Sequence, residues 1–214
     1  MILVFLGKAG TGKGTQAQML AKKTGIVQAS MGDVLREEIA KKTALGKQIA
    51  EIINSGILVP DALTAQMLDV WLEGRDLRKG IVFDGFPRTL EQAQMLDELL
   101  AKRNLQVDLV LNFTVPEKKL IERLSNRRTC EKCKRVYNLI TAPPKKTGIC
   151  DIDGGELIQR DDDREESIKE RFKIYNQQIK PILEFYKGKV IEVDASGSIE
   201  QVDKKVMQIL EKKK

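Results

Sequence analysis

The chain has 214 residues, 42% of them hydrophobic and 32% charged, with 37 basic against 31 acidic side chains for a formal net charge of +6. That suffices for one sizeable core with small insertions, and no apolar run approaches the ~20 residues of a membrane helix. Aromatics are 5% and histidine is absent, which argues against nucleic-acid binding by base stacking and removes the imidazole that many hydrolases use as a base.

In chain order, the opening "MILVFLG" has no basic segment before its short apolar run and does not read as an export signal, so the expected location is the cytoplasm. Residues 2–6 read as a buried strand. Residues 14–24 read as a helix closed by Gly25, and a short strand is expected at Val27–Ala29. Residues 30–59 read as helical, with Leu45, Ile49, Ile52 and Ile53 on one stripe and Gly56 as the stop. Strands follow at 81–84 and 108–113, with a helical stripe of Leu90, Ala93, Leu96, Leu99 and Leu100 between them. Residues 126–163 break the alternation: they are polar, rich in Gly, Pro and Lys, and hold every cysteine. Ile168, Phe172, Tyr175, Ile179, Ile182 and Tyr186 line a long helix that Pro181 is expected to kink or divide. A fifth strand at 189–193 and a last helix through Ile199, Val202, Val206 and Ile209 complete the chain. Such alternation implies a parallel sheet covered on both faces, with ligands at the carboxyl ends of its strands.

Directly after the first strand stands "GKAGTGKGT", Gly7 to Thr15, the spacing of a P-loop. Glycines let successive backbone N–H groups turn onto a phosphate, the helix N-terminus adds partial positive charge, and Lys13 supplies a mobile cation. The usual Ser or Thr after the lysine is Gly14 here, with the hydroxyl one later at Thr15. Magnesium is therefore expected to be held through phosphate and water, with Asp84 or Asp33 behind the water; either could instead be a turn or cap aspartate.

"DGFPRTLEQAQ", 84–94, then places Arg88 at a strand end facing the cradle and Gln92 one turn into the next helix. A guanidinium grips phosphate at two points, and an amide can read a base edge. The cysteines fall as C-x₂-C, sixteen residues, then C-x₂-D. Cys130, Cys133 and Cys150 fill three places of a zinc ribbon, with Asp153 as fourth ligand and Asp151 as its rival. A redox pair is the other reading of Cys130 and Cys133, but it leaves Cys150 unexplained.

"GKAGTGKGTQ", "GDVLR", "LVPD", "DGFPRT", "ERLSNRR" and "QRDDD" occur in the order found in adenylate kinases, and nearly the whole chain resembles that family in its long-lid form. The resemblance implies MgATP plus AMP giving two ADP, a monomer, no nucleic-acid or membrane partner, and a structural zinc in the lid. It implies an α/β fold: a three-layer P-loop NTPase core with a five-stranded parallel sheet (1–29, 60–125, 164–214), a helical NMP-binding insertion (30–59) and a small zinc-binding lid (126–163). By the same resemblance Gly10, Thr11, Gly12, Lys13, Gly14 and Thr15 wrap the ATP phosphates. Arg127, Val136, Tyr137 and Gly197 serve ATP. Arg36 and Arg88 hold the AMP phosphate, with Gly85, Phe86 and Pro87 in the same loop. Ile57, Leu58 and Val59 border the AMP base, Gln92 reads it, and Arg123, Arg160 and Arg171 surround the phosphoryl group in transfer.

Two positions depart from the family pattern. Ala9 stands where a proline is usual, so a less rigid cradle is expected. Met31 stands where a threonine contacts the AMP side, offering packing but no hydroxyl. The alternatives are a related nucleoside monophosphate kinase, a zinc-ribbon nucleic-acid-binding ATPase, and a P-loop switch protein. The last would lack the second nucleotide pocket that Arg36, Arg88 and Gln92 imply.

Overall fold

The computed structural model describes residues 1–54 and 59–213, apart from the side chains of Asp33, Arg36, Ile53, Asn54 and Asp161. Expectations that rest on Gly56, Ile57, Leu58 and the side chains of Asp33 and Arg36 lie outside the described residues.

The strands β1 (Ile2–Leu6), β2 (Val27–Ser30), β3 (Ile81–Asp84), β4 (Leu109–Thr114) and β8 (Val190–Asp194) form one parallel sheet in the order β2-β3-β1-β4-β8. All five residues of β1 are buried because both faces are covered. Ile2, Val4 and Leu6 point into one core and Leu3 and Phe5 into the other. The first core is closed by α2 (Met31–Ala40), α3 (Ala44–Asn54), α4 (Asp61–Glu73), α5 (Leu90–Ala101) and the end of α7 (Glu165–Phe185). The second is closed by α1 (Lys13–Thr24) and α8 (Ile199–Glu211). This is the three-layer α/β arrangement expected from the alternating pattern.

Local chemistry sets the element ends. Gly25, at φ 73°, caps α1 by donating its N–H to Ala21. The Thr89 hydroxyl accepts from the Gln92 N–H at the start of α5, and Ser198 and Gln201 form a capping box on α8. α7 runs unbroken through Pro181, against the expected division. Burial of Ile182 and Tyr186 just beyond the proline offsets the lost hydrogen bond.

Two helices carry no expectation from the stripes above. α4 and α6 (Glu117–Ser125) each begin after a proline, Pro60 and Pro116, whose fixed φ suits a helix start. α6 packs Leu120 and Leu124 against Ile168 and Phe172 of α7, and Ala9 of the glycine-rich loop leans on that cluster.

Residues 127–158 hold a second, antiparallel sheet: β5 (Arg127–Cys130) between β6 (Val136–Asn138) and β7 (Leu157–Ile158). Its buried cluster is Cys130, Tyr137, Cys150 and Leu157, too little apolar surface to hold a fold alone. Among the described residues no helix is long and apolar enough to cross a membrane.

Candidate active site

Parallel pairing brings the ends of β2, β3, β1, β4 and β8 to one edge, and the glycine-rich loop leaves from the central strand. Gly7, Gly10 and Gly12 have φ of 141, 84 and 92°, a region that side chains rarely adopt. A Cβ on Gly7 would also meet the Phe113 carbonyl at 2.6 Å. Lys13 folds back over the loop, its Nζ 2.6 Å from the Gly7 carbonyl and 3.0 Å from that of Lys8. The Thr11 hydroxyl donates to the same Lys8 carbonyl at 2.8 Å. The Lys8 amine pairs with Glu117 of α6 and lies 5.5 Å from the Phe172 ring centre, so its side chain ties the loop to α6 and α7. A Cβ on Gly14 would lie 3.0 Å from Asp84 Oδ2, which gives a steric reason for the missing Ser or Thr.

Three arginines, Arg88, Arg127 and Arg171, lie close enough to act on Lys13. Its pKa is pushed down to about 8, first by burial; Asp84 raises it and Arg88, Arg171 and Arg127 lower it. Burial likewise lowers Arg88, which feels Asp84, Asp162 and Arg160, and Arg171, which feels Asp162, Arg127, Arg88 and Arg160. Arg88 sits deep in the cleft among the other charged groups, which desolvates it, yet water still reaches its surface along the open side; its Nε donates to the Gly85 carbonyl at 2.9 Å.

Three of these guanidinium groups rest on two neighbouring aspartates. Arg160 meets Asp162 with two bonds of 2.8 Å, and Arg171 reaches Asp162 at 2.9 Å. Arg127 meets the fully buried Asp163 at 2.7 and 2.5 Å. Burial works against ionisation of Asp162, but Arg171 and Arg160 hold its pKa below the usual carboxylate value. Neither aspartate carries a role in the sequence reading, although both stand in "QRDDD" directly after Arg160.

Arg123 stands apart from this group. Its guanidinium donates to the carbonyls of Ala195 at 3.1 Å and of Gly10 and Gly197 at 3.4 Å, bridging the glycine-rich loop to the loop after β8. A Cβ on Gly197 would meet Gln201 Oε1 at 2.6 Å and push that amide off its place in the capping box of α8.

On the other flank, Gly85 turns at φ 77°, and Phe86 and Pro87 are buried behind it. Gln92 is buried in a closed network: its Oε1 accepts from the Arg88 N–H at 2.7 Å and its Nε2 donates to Asp61 Oδ1 at 2.7 Å. The Thr89 hydroxyl donates to the other Asp61 oxygen at 2.8 Å. Met31 is buried in the larger core, and Val59 packs against that core.

The three thiols and the Asp153 carboxylate place one ligand atom each within 4.8 Å of one another. Cys133 Sγ and Cys150 Sγ are 3.5 Å apart, near the ~3.8 Å that tetrahedral Zn–S bonds of ~2.3 Å impose. Two matching turns hold them. The Lys134 N–H bonds the Cys130 carbonyl at 3.1 Å, as the Gly154 N–H bonds the Cys150 carbonyl at 3.0 Å. The Cys130 N–H bonds the Arg135 carbonyl at 2.9 Å, as the Cys150 N–H bonds the Gly155 carbonyl at 2.8 Å. Asp153 thus takes the place of Cys133 in the second turn, whereas Asp151 turns away to accept from the Lys145 N–H at 2.9 Å. Tyr137 is buried, with its hydroxyl 3.4 Å from Cys150 Sγ, while Val136 is exposed. Of this pair, then, the valine is the side chain on the outer surface.

The adenylate kinase family model matches residues 5–191. Over 214 residues the chain is 48% identical to an adenylate kinase of Archaeoglobus fulgidus, covering 99% of both chains. It is 46% identical to that of Fervidobacterium nodosum, covering 98% of this chain and 97% of the relative. It is also 46% identical to that of Thermodesulfovibrio yellowstonii, over 100% of both. A family match over most of its length, together with full-length relatives of this identity, establishes that the chain belongs to the adenylate kinase family.

Proposed function

We propose that this chain, an ATP:AMP phosphotransferase by family, performs its reaction with the cations gathered around Lys13. The observation that carries this reading is the convergence of Lys13, Arg88, Arg127, Arg160 and Arg171 about Asp84, Asp162 and Asp163, five positive groups against three negative. That excess suits polyphosphate. An AMP phosphate oxygen attacks the γ-phosphorus of ATP, the bond from that phosphorus to the bridging oxygen breaks, and ADP leaves. The nucleophile is already anionic, so alignment and fixed positive charge supply the catalysis without a protein base.

In this reading Gly10 to Thr15 hold the ATP phosphates and Arg88 and Arg36 the AMP phosphate. Arg160 and Arg171 flank the phosphoryl group, and Arg127 reaches ATP from the lid. The aspartates that now hold three guanidinium planes keep them oriented until phosphate oxygens take over. Arg123, beside Gly197, serves the base end of ATP in place of the phosphoryl position first expected. Residues 30–59 and 126–163 are the pieces that move to admit both nucleotides and then exclude water. Support comes from strand pairing, since β5, β6 and β7 pair only among themselves among the described strands.

Magnesium bound with ATP would neutralise its phosphate oxygens, with Asp84 and Asp33 behind its water. Zinc in the cysteine–aspartate cluster would be structural: four ligands close the site and leave no place for a reacting water. A single-chain enzyme working on free nucleotides in the cytoplasm is the proposed setting, where its three thiols stay reduced.

The test is to mix protein, MgATP and each nucleoside monophosphate and follow diphosphate formation. ADP appearing with AMP is expected. Phosphate release independent of any monophosphate, or no turnover with AMP, would reject the reading.

A further inference from the structure

We propose that Asp61 sets the base preference of the acceptor site by locking the Gln92 amide in one of its two orientations. This rests on the reading of Gln92 as the residue that meets the AMP base. Asp61 stands in the first turn of α4, two residues past Val59, and Gln92 in the first turn of α5.

A glutamine amide can turn end for end at little cost when its neighbours can both give and accept. Here they cannot. Asp61 is an acceptor and faces Nε2; the Arg88 backbone N–H is a donor and faces Oε1. The second Asp61 oxygen is held by the Thr89 hydroxyl, which accepts in turn from the Gln92 N–H at 3.1 Å. Turning the amide would set oxygen against oxygen at Asp61 and N–H against N–H at Arg88. Each mismatch weakens binding about tenfold or more.

One amide N–H and one carbonyl lone pair remain after these bonds. Adenine offers a donor at N6 beside an acceptor at N1, which matches that pair. Hypoxanthine offers the reverse, an acceptor at O6 beside a donor at N1, and needs the turned amide. The lock therefore selects AMP over IMP without Asp61 touching either nucleotide. Asp61 is a positioning residue, and its removal should change the choice between bases more than the grip on phosphate.

The experiment compares kcat/KM for AMP and IMP, each with MgATP, in the native enzyme and three variants, with melting temperature recorded for each. Asp61→Asn, the same shape but able to donate or accept, is expected to lower the AMP:IMP ratio about tenfold. The double change Asp61→Asn with Gln92→Glu conserves net charge and keeps the pair complementary, yet leaves only acceptors for the base, which match one group and oppose the other on adenine and hypoxanthine alike; it is expected to bring the AMP:IMP ratio near one. It stands in if the single variant does not fold. Gln92→Leu is expected to abolish the discrimination. A native enzyme that uses both bases equally, or a ratio that Gln92→Leu does not move, rejects Gln92 as base reader and this proposal with it. A ratio that Gln92→Leu collapses, but that Asp61→Asn and the double change leave alone, rejects the role of Asp61 while the reading of Gln92 stands.

Discussion

Arg127 and Asp163 form a two-point clasp, Nε to Oδ2 at 2.7 Å and Nη2 to Oδ1 at 2.5 Å, with no solvent reaching the carboxylate. It fastens the first residue of β5 to the turn just before α7. Removing the buried partner leaves Arg127 beside Lys13 and Arg171 without its main counter-charge. Asp163→Ala is therefore expected to lower stability by about 2–3 kcal/mol, less than for a wholly buried pair because Arg127 is partly solvated. Denaturant unfolding of the two proteins checks this, and a change below about 0.5 kcal/mol contradicts it.

Lys13 titrates near pH 8 because burial and nearby arginines disfavour its charge. In the free enzyme the charge is lost as pH rises through that value, so kcat/KM for ATP should fall above about pH 8. Bound phosphate restores the charge, so kcat should hold to higher pH and the loss should lie in KM. For stability the sign is opposite. Between about 8 and the ordinary 10.5 the unfolded chain binds the extra proton, so this group's contribution rises with pH across that window. A kcat/KM profile flat to pH 10 rules out Lys13 as the titrating cation.

Lys8 anchors the cradle beside Ala9, since its amine is held by Glu117 and Phe172 while its carbonyl receives Lys13. Lys8→Ala should raise KM for ATP about three- to tenfold and move KM for AMP less than twofold, with the fold intact. Adding Ala9→Pro should recover part of the loss by stiffening the loop in another way. Initial-rate kinetics at both substrates separate the outcomes, and equal changes in the two KM values speak against a cradle effect.

Metal removal should act through the lid. Its buried cluster adds only Leu157 and Tyr137 to the thiols of Cys130 and Cys150 among the described residues, so the 127–158 sheet is expected to depend on the metal-ligand cluster. Chelation or Asp153→Ala is expected to lower the melting temperature by about 4 °C or more, with activity falling in parallel. Elemental analysis without zinc, or an unchanged melting curve, overturns the structural-metal reading.

Much of this was legible in the chain because the signals are local. Continuous apolar runs mark β1, β3 and β4 to within a residue, and fixed spacing marks Lys13, Arg88 and the cysteines. What escaped depends on contacts between distant segments. Asp61 with Thr89, Lys8 with Glu117, and Arg127 with Asp163 pair residues that no short window shows together. The lid strands of two to four residues are too short for period-2 alternation to register. Arg123 and Arg127 sit four apart in one motif yet reach different partners, the carbonyls of Gly10, Ala195 and Gly197 against Asp163, because Arg123 leaves from the last turn of α6 and Arg127 from the strand that follows.

One strand, β5, begins at Arg127 and ends at Cys130, a span of about 10 Å. The cysteine–aspartate cluster and the Arg127 clasp are thus two ends of a single rigid rule. Any ion that imposes the same tetrahedral spacing on the sulfurs leaves the arginine end where it was. Cobalt or cadmium could then stand in for zinc with turnover little changed, and supply of metal, more than its chemistry, would decide which ion the lid carries.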